Sequence, residues 1–424
     1  MRSQNASLSR PSKTPRICIV GGGFGGLYTA LYLQKYRHLR NSQIILIEPK
    51  AQFLFTPMMY ELITDELKEW EIAPTYSRLL SGSNVVWKQA SASGINLERQ
   101  VVSADGEDIG YDYLVVATGA ENRPVDVPGV AQHTLTFRSL EDALMLKSRL
   151  AQLVQAQKLR PSETPTQIVV VGGGPSGVEL SAKVNDYLTQ HGLRKIQIVL
   201  VERGDTVLAP FEKGLRKLAR TSLSRRQIDV LTETSVVEVS ADAVRVEERS
   251  GQEVLQRVLP SQLTLWAVGT QPRPWLGEQS VHASEQGQRL TRRSLQLLDY
   301  DNVFVLGDSQ VAKDSLGPSK DPAPNTAQAA YQAASQVAKN LSAITQGRKP
   351  KNFSYLHLGD MLTLGVGEAG LWSFGLTIGG KLAALCRRGI YILRMPTRRH
   401  QLKVARRALG ELVRAIFRPF RSLG

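Results

Sequence analysis

The sequence predicts an α/β protein built from two tandem Rossmann-like domains, followed by a C-terminal amphipathic segment. Three observations predict it: a glycine-rich strand-to-helix loop that occurs twice, an acid ending the next strand in both copies, and a basic, helically periodic C-terminus. At 424 residues, 42% hydrophobic and 21% charged, the chain can bury two or three cores and is too apolar for wholesale disorder.

Residues 1–13 are rich in Ser, Arg and Pro and lack the apolar stretch of a secretory signal, so they are expected to form a disordered arm. Residues 17–20 then read as a strand, followed by Gly21-Gly22-Gly23-Phe24-Gly25-Gly26 and a helical stretch over 27–34. A second strand, 44–47, ends in Glu48, and a later one, 114–116, ends in Ala117-Thr118-Gly119. The pattern recurs: strand 168–171, Gly172-Gly173-Gly174-Pro175-Ser176-Gly177, helix 178–187, strand 198–201 ending in Glu202, and strand 263–266 ending in Ala267-Val268-Gly269. From first glycine to closing segment is 96 residues in one copy and 95 in the other, a match that a chance glycine cluster does not produce.

Each residue type has a physical reason. Gly21 and Gly172 permit the tight turn, Gly23 and Gly174 let the backbone approach a pyrophosphate, and Gly26 and Gly177 let helix and strand pack closely. The pyrophosphate rests on the N-terminus of the following helix, with Phe24 of the first loop among the cofactor-binding residues, and Glu48 or Glu202 accepts from ribose hydroxyls. The bland alternative is that the glycines serve only as tight turns.

Two dinucleotide domains imply two dinucleotides and hydride passage between them. The run 302–308 ends a strand in Gly307-Asp308, ahead of a helix-prone Ala/Gln stretch over 326–341. It looks like the flavin-side closing motif of two-dinucleotide flavoproteins, in which the Asp binds the ribityl chain; Asp308 as a plain helix N-cap is the alternative. The expected division is an FAD-binding domain over 14–135 and 290–350, with Thr118, Gly119 and Asp308 in its site, and an NAD(P)H-binding domain over 136–289, with Gly269 in its site. Residues 351–424 form a quinone- and membrane-associating end. Glu202 disfavours a 2′-phosphate and Arg203 favours one, so NADH and NADPH both remain open.

The only cysteines are Cys18 and Cys386, so a thiol relay, a disulfide framework and a zinc site are all unavailable; no metal is expected, and a reducing compartment fits. Electrons would pass from flavin to a docked acceptor. Gln328 and Gln332 are four apart on one helix face with Tyr331 beside them, which suits a planar carbonyl-bearing ring, although such glutamines commonly face solvent. The net charge is +15, and the stretch 381–424 supplies twelve Lys/Arg against one acid, Glu411. Leu402, Ala405, Leu409, Leu412, Val413 and Ile416 share a helical face among Lys403, Arg406, Arg407, Arg414 and Arg418. A cationic amphipathic helix of this kind reads as lying on an anionic membrane surface. A helix packed on its own domain, or a face for a homodimer, is the alternative. No run of 18 apolar residues occurs, so a spanning helix is not expected.

With these residues in view, the chain resembles the type II NAD(P)H dehydrogenases, single-subunit NAD(P)H:quinone oxidoreductases that do not pump protons. The resemblance takes in both glycine loops, the run Phe55-Thr56-Pro57-Met58-Met59-Tyr60-Glu61, Gly307-Asp308, and the A-Q-x-A-x-Q pattern at 327–332. It implies that Gln328, Tyr331 and Gln332 lie in a quinone region, and that Glu179 orients the nicotinamide or assists proton delivery, against a surface glutamate as the alternative. It also implies a peripheral position on the cytoplasmic side of a membrane, thylakoid or plasma membrane if the source is cyanobacterial. The branch it is most similar to is the cyanobacterial and plastid one that reduces demethylphylloquinone in phylloquinone synthesis, with a plastoquinone-type respiratory acceptor as the alternative. The tail is denser in Arg than several family tails, and 358–369 keeps the family's Gly-rich strand pattern only loosely. A basic flavoprotein gripping nucleic acid is the competing class. Nucleic acid is not expected as a partner, because phosphates do not require the Leu, Val and Ile opposite the cations. Since both nucleotide sites lie upstream, the tail should be removable without loss of the nucleotide chemistry.

Overall fold

The computed structural model describes residues 14–159, 163–251, 253–313 and 322–417. The expected arm at 1–13, and Arg418 at the far end, lie outside the described residues, as do the side chains of Leu412, Val413, Arg414 and Ile416. The helices used below are α1 (Phe24–Leu33), α2 (Tyr60–Ile63), α3 (Pro175–Gln190), α4 (Ala327–Ile344), α5 (Gly380–Arg394) and α6 (Arg398–Phe417). Two compact units hold them, one made of Met1–Phe53, Thr75–Glu121 and Gln271–Leu356, the other of Leu54–Pro74, Asn122–Thr270 and His357–Gly424.

In the first unit a five-stranded parallel sheet runs in the order Val303–Val305, Tyr113–Val116, Arg16–Val20, Gln43–Ile47, Val85–Lys88. Ile17, Cys18, Ile19 and Val20 are all buried, as expected for a central parallel strand covered on both faces. Val20 pairs with Ile47 on one side and Val116 on the other, so the strands end level. The glycine loop, Glu48 and the Ala117-Thr118-Gly119 segment therefore emerge together at the carboxyl ends of these central strands, where open α/β sheets place ligands. Helices α1 and α4 pack side by side.

The second unit repeats the plan: Asp229–Leu231, Ile196–Val201, Thr166–Val171, Leu263–Trp266 and Thr134–Leu135, again all parallel. Val171 is level with Val201 and Trp266, which brings the second glycine loop, Glu202 and the Ala267–Gly269 turn together. A further antiparallel sheet, Asp360–Thr363, Ala369–Ser373 and Leu376–Gly379, packs against α5, and α5 against α6. The expected two-domain α/β architecture is present. Among the described residues no helix is long and apolar enough to cross a membrane.

Candidate active site

The two glycine loops have one construction. Gly21 has φ +97°, and a Cβ there would lie 2.4 Å from the Ala117 carbonyl oxygen. A Cβ on Gly26 would fall 1.8 Å from the Gly21 oxygen, so α1 meets the loop at a distance only glycine allows. Glu48 clamps the turn: its carboxylate accepts from the Gly22 N–H (2.7 Å) and the Lys50 N–H (3.0 Å), while the Tyr76 hydroxyl donates to the Gly22 carbonyl (2.8 Å). Gly23 alone faces open space. It precedes a helix whose first turn has no acid and no side-chain cap on its N-terminal residue, so the positive end of the helix faces the loop.

In the second copy, Gly172 has φ +109° against Ala267 and Val268, and a Gly177 Cβ would lie 1.8 Å from the Gly172 oxygen. Glu202 accepts from the Gly173 and Gly204 N–H groups (both 2.6 Å), and Gly174 faces open space before Pro175. Arg203 is exposed next to it. Each carboxylate oxygen keeps accepting capacity beyond these bonds, so the clamp does not compete with a ribose hydroxyl. An unobstructed cradle in front of two helix N-termini fits two dinucleotides.

The closing segments fit as well. Thr118 and Ser309 hydroxyls pair at 3.1 Å, and Ser309 donates to the Gly119 carbonyl (3.2 Å), joining the end of the strand Tyr113–Val116 to the Gly307–Ser309 turn. Asp308 lies inside that turn, not at a helix N-cap; α4 starts later, capped by Thr326, whose hydroxyl accepts from the Ala329 N–H (3.2 Å). Gly269, with φ +81°, makes the matching turn in the second unit, where its carbonyl accepts from the Arg123 N–H (3.1 Å).

On α4 the three quinone candidates differ. Tyr331 lies 6.1 Å from Tyr28, within an aromatic group that includes Phe24 and Phe53. Gln328 is half-buried one turn before Gln332. The Gln332 amide is committed to backbone: it donates to the Leu356 carbonyl (2.9 Å) and accepts from the Leu356 N–H (3.1 Å).

The second unit holds a buried charge cluster that the sequence did not reveal. Glu179, on α3, is 6% exposed, so it is not a surface glutamate. Its Oε1 accepts from the Thr363 N–H (2.8 Å) and lies 3.8 Å from a guanidinium nitrogen of Arg387 on α5. Arg387, 4% exposed, donates to Glu61 on α2 and to the Pro57 carbonyl (2.6 Å), with its guanidinium over the Tyr391 ring. Lys183, one turn beyond Glu179, is fully buried and paired with Glu66. Burial pushes the Glu179 carboxyl up to about 7, against the Arg387 cation and the Thr363 N–H. Burial also acts to raise Glu61, but Arg387 and Lys183 overcome it and leave that carboxyl below its ordinary value. One carboxyl poised near neutrality beside one held ionised is an arrangement in which the neighbouring negative charge opposes ionisation, which suits a proton donor.

Arg387 sits among the cations that the sequence reading gave to the membrane, and nothing local in the sequence distinguishes it. Ala383, Arg387 and Tyr391 recur at four-residue spacing on the inward stripe of α5, while Leu382 and Leu385 are exposed. Helix α6 is divided likewise. Val404 is buried, His400 donates from Nε2 to the Glu71 carbonyl (2.7 Å), and Arg407 pairs with Glu71 and Glu411. Burial, helped by Lys403, lowers His400 to about 4, so it donates as a neutral ring. Leu402 and Leu409, by contrast, are 60% and 61% exposed. The tail is therefore no separable appendage: its outward face is apolar and basic, and its inward face completes the cluster around Glu179 and Glu71.

Comparison with known proteins agrees with this geometry. Residues 15–334 match the family described as pyridine nucleotide-disulphide oxidoreductase. The chain is 39% identical to the demethylphylloquinone reductase NdbB of Synechocystis sp., over 92% of this chain and 94% of that protein. It is 33% identical to the alternative NAD(P)H-ubiquinone oxidoreductase C1, chloroplastic/mitochondrial, of Arabidopsis thaliana, over 93% and 80%. The structure of NDH2 from Plasmodium falciparum in complex with NADH shares the fold, with TM-score 0.79 at 18% identity over 92% and 97%.

Proposed function

The chain belongs to the pyridine nucleotide-disulphide oxidoreductase family and within it to the type II NAD(P)H:quinone oxidoreductases, and from that membership we propose that its acceptor is demethylphylloquinone, reduced for phylloquinone synthesis. The carrying observation is the 39% identity to a demethylphylloquinone reductase across almost the full length of both chains. FAD is the cofactor, and when bound it supplies two-electron transfer from NAD(P)H to a quinone.

The residues have these roles in the proposal. Gly21, Gly23, Gly26, Glu48, Thr118, Gly119 and Asp308, with Phe24 at the helix start, hold FAD; Gly172, Gly174, Gly177, Glu202, Arg203 and Gly269 hold the nicotinamide nucleotide. Glu179 keeps a proton available near neutral pH. Gln328 and Tyr331 meet the quinone ring, and Gln332 fixes the Leu356 backbone against α4. The outward apolar and basic face of α5 and α6 rests on the cytoplasmic side of an anionic membrane, where a long-tailed quinone is dissolved. Leu382, Leu385, Leu402 and Leu409, all exposed, lie on these same basic helices and support that docking.

The relative named for ubiquinone favours a second reading, a respiratory-type enzyme acting on plastoquinone. Steady-state rates with NADH and with NADPH, against demethylated and methylated naphthoquinones and plastoquinone, separate the two. The proposal expects the demethylated naphthoquinone to have the highest kcat/KM; a preference for plastoquinone would give the second reading.

A further inference from the structure

The cluster around Glu179 has an imbalance of charge. Three carboxyls, Glu61, Glu66 and Glu179, share two cations, Lys183 and Arg387, and Lys183 is committed to Glu66. Arg387 hydrogen-bonds Glu61 and the Pro57 carbonyl, leaving Glu179 at 3.8 Å. In a site this dry, two carboxylates facing one guanidinium do not both ionise readily. We infer that Arg387 and Glu61 form an opposed pair that sets the protonation of Glu179, with Arg387 a positioning residue delivered by the C-terminal helix α5. This rests on the reading of Glu179 as the residue that keeps a proton available.

The groups facing Glu179 from each packed element make the signs definite. Helix α2 brings Tyr60 and Glu61, the strand Asp360–Thr363 brings the Thr363 N–H, and α5 brings Arg387 and Tyr391. On its own helix, Lys183 acts through Glu61. Tyr60 and Tyr391 are both raised by burial above all, Tyr391 to about 12, so neither competes as an acid near neutrality. Arg387 stabilises the Glu179 anion, and its removal must favour the protonated form. Glu61 opposes that anion and also occupies Arg387, so its neutralisation must favour the ionised form. A merely structural salt bridge predicts no such opposition.

The test is an infrared titration of the purified holoenzyme, following the protonated-carboxyl band that Glu179→Gln removes. The wild type should titrate near 7. Arg387→Met should move the midpoint up by about 1 pH unit or more, and Glu61→Gln should move it down by a similar amount. Arg387→Lys, which keeps the charge, should restore most of the wild-type value. Shifts of the same sign in Arg387→Met and Glu61→Gln, or no shift in either, would overturn the inference. If Arg387→Met does not fold, Glu61→Gln decides alone: a downward shift supports the pair, and an unmoved or raised midpoint rejects it. The pH profile of quinone reduction tests the underlying reading separately. Should Glu179→Gln keep the wild-type limb, Glu179 is not the proton source, whatever the infrared midpoints show.

Discussion

At the scale of single residues, the glycines of the first loop make separable predictions. Gly23 faces open space, whereas a Cβ on Gly26 would overlap the Gly21 carbonyl. Gly23→Val should therefore fold normally yet purify colourless, because its side chain fills the cradle in front of α1. Gly26→Ala should lower stability by about 1–3 kcal/mol or more, since backbone must shift. Thermal melting together with flavin absorbance distinguishes them; a yellow Gly23→Val protein would put the pyrophosphate elsewhere. Glu202→Gln removes a repulsion toward a 2′-phosphate and should raise the NADPH-to-NADH efficiency ratio about tenfold or more, on the order of 1–3 kcal/mol. An unchanged ratio in steady-state assays would place Glu202 away from the ribose. Glu179 makes a prediction about stability. Its folded-state value of about 7 lies above the ordinary 4.5, so its contribution is present at low pH and lost as pH rises through 7. Relative to wild type, Glu179→Gln should gain on the order of 3 kcal/mol between about pH 5 and about pH 8.5. Urea denaturation at both values reads this directly, and an equal difference at both would contradict a raised Glu179.

At the scale of elements, α5 and α6 each carry two faces. The outer face leaves Leu402 and Leu409 exposed, the residues proposed to meet a bilayer, and the inner face delivers Arg387, His400, Val404 and Arg407 to the second unit. Changing Leu402 and Leu409 to Ser keeps every cation and should not disturb the fold. Vesicle affinity should fall about a hundredfold, from the loss of roughly 3 kcal/mol of apolar burial, while turnover with a short water-soluble quinone persists. Sedimentation with anionic vesicles checks this; unchanged binding would mean that charge alone holds the tail. Truncation after Gly380 is another matter. It strips cations from buried Glu61 and Glu71, and breaking a buried pair costs about 3–5 kcal/mol. The truncated chain should lose activity with every quinone, as measured by NADH oxidation, rather than merely leave the membrane.

At the scale of the whole molecule, what was legible followed from local pattern. Both glycine loops, Glu48 and Glu202, and the closing turns at Thr118 and Gly269 are read from short segments whose spacing repeats, and the parallel sheets order them as the repeat requires. The helical face of the tail was legible for the same reason. The cluster around Glu179 was not, because Glu61 and Arg387 are 326 positions apart and meet only through packing. A helical period also cannot say which cations of an amphipathic helix turn inward; burial of Arg387 depends on α2 and α3 presenting Glu61 and Glu179 to it. Even so, the run 55–61, which carries part of the family resemblance, contains Glu61 and the Pro57 carbonyl that hold that arginine.

The measurement closest to the central claim is a single-turnover experiment on the holoenzyme without oxygen. The protein is first reduced by one equivalent of NADH, and the return of oxidised flavin absorbance is then followed after mixing with demethylphylloquinone, phylloquinone or plastoquinone. A pocket shaped around a ring lacking one methyl group should discriminate by about tenfold or more. Reoxidation should be fastest with demethylphylloquinone. Equal rates with all three, or faster reoxidation by plastoquinone, would contradict it.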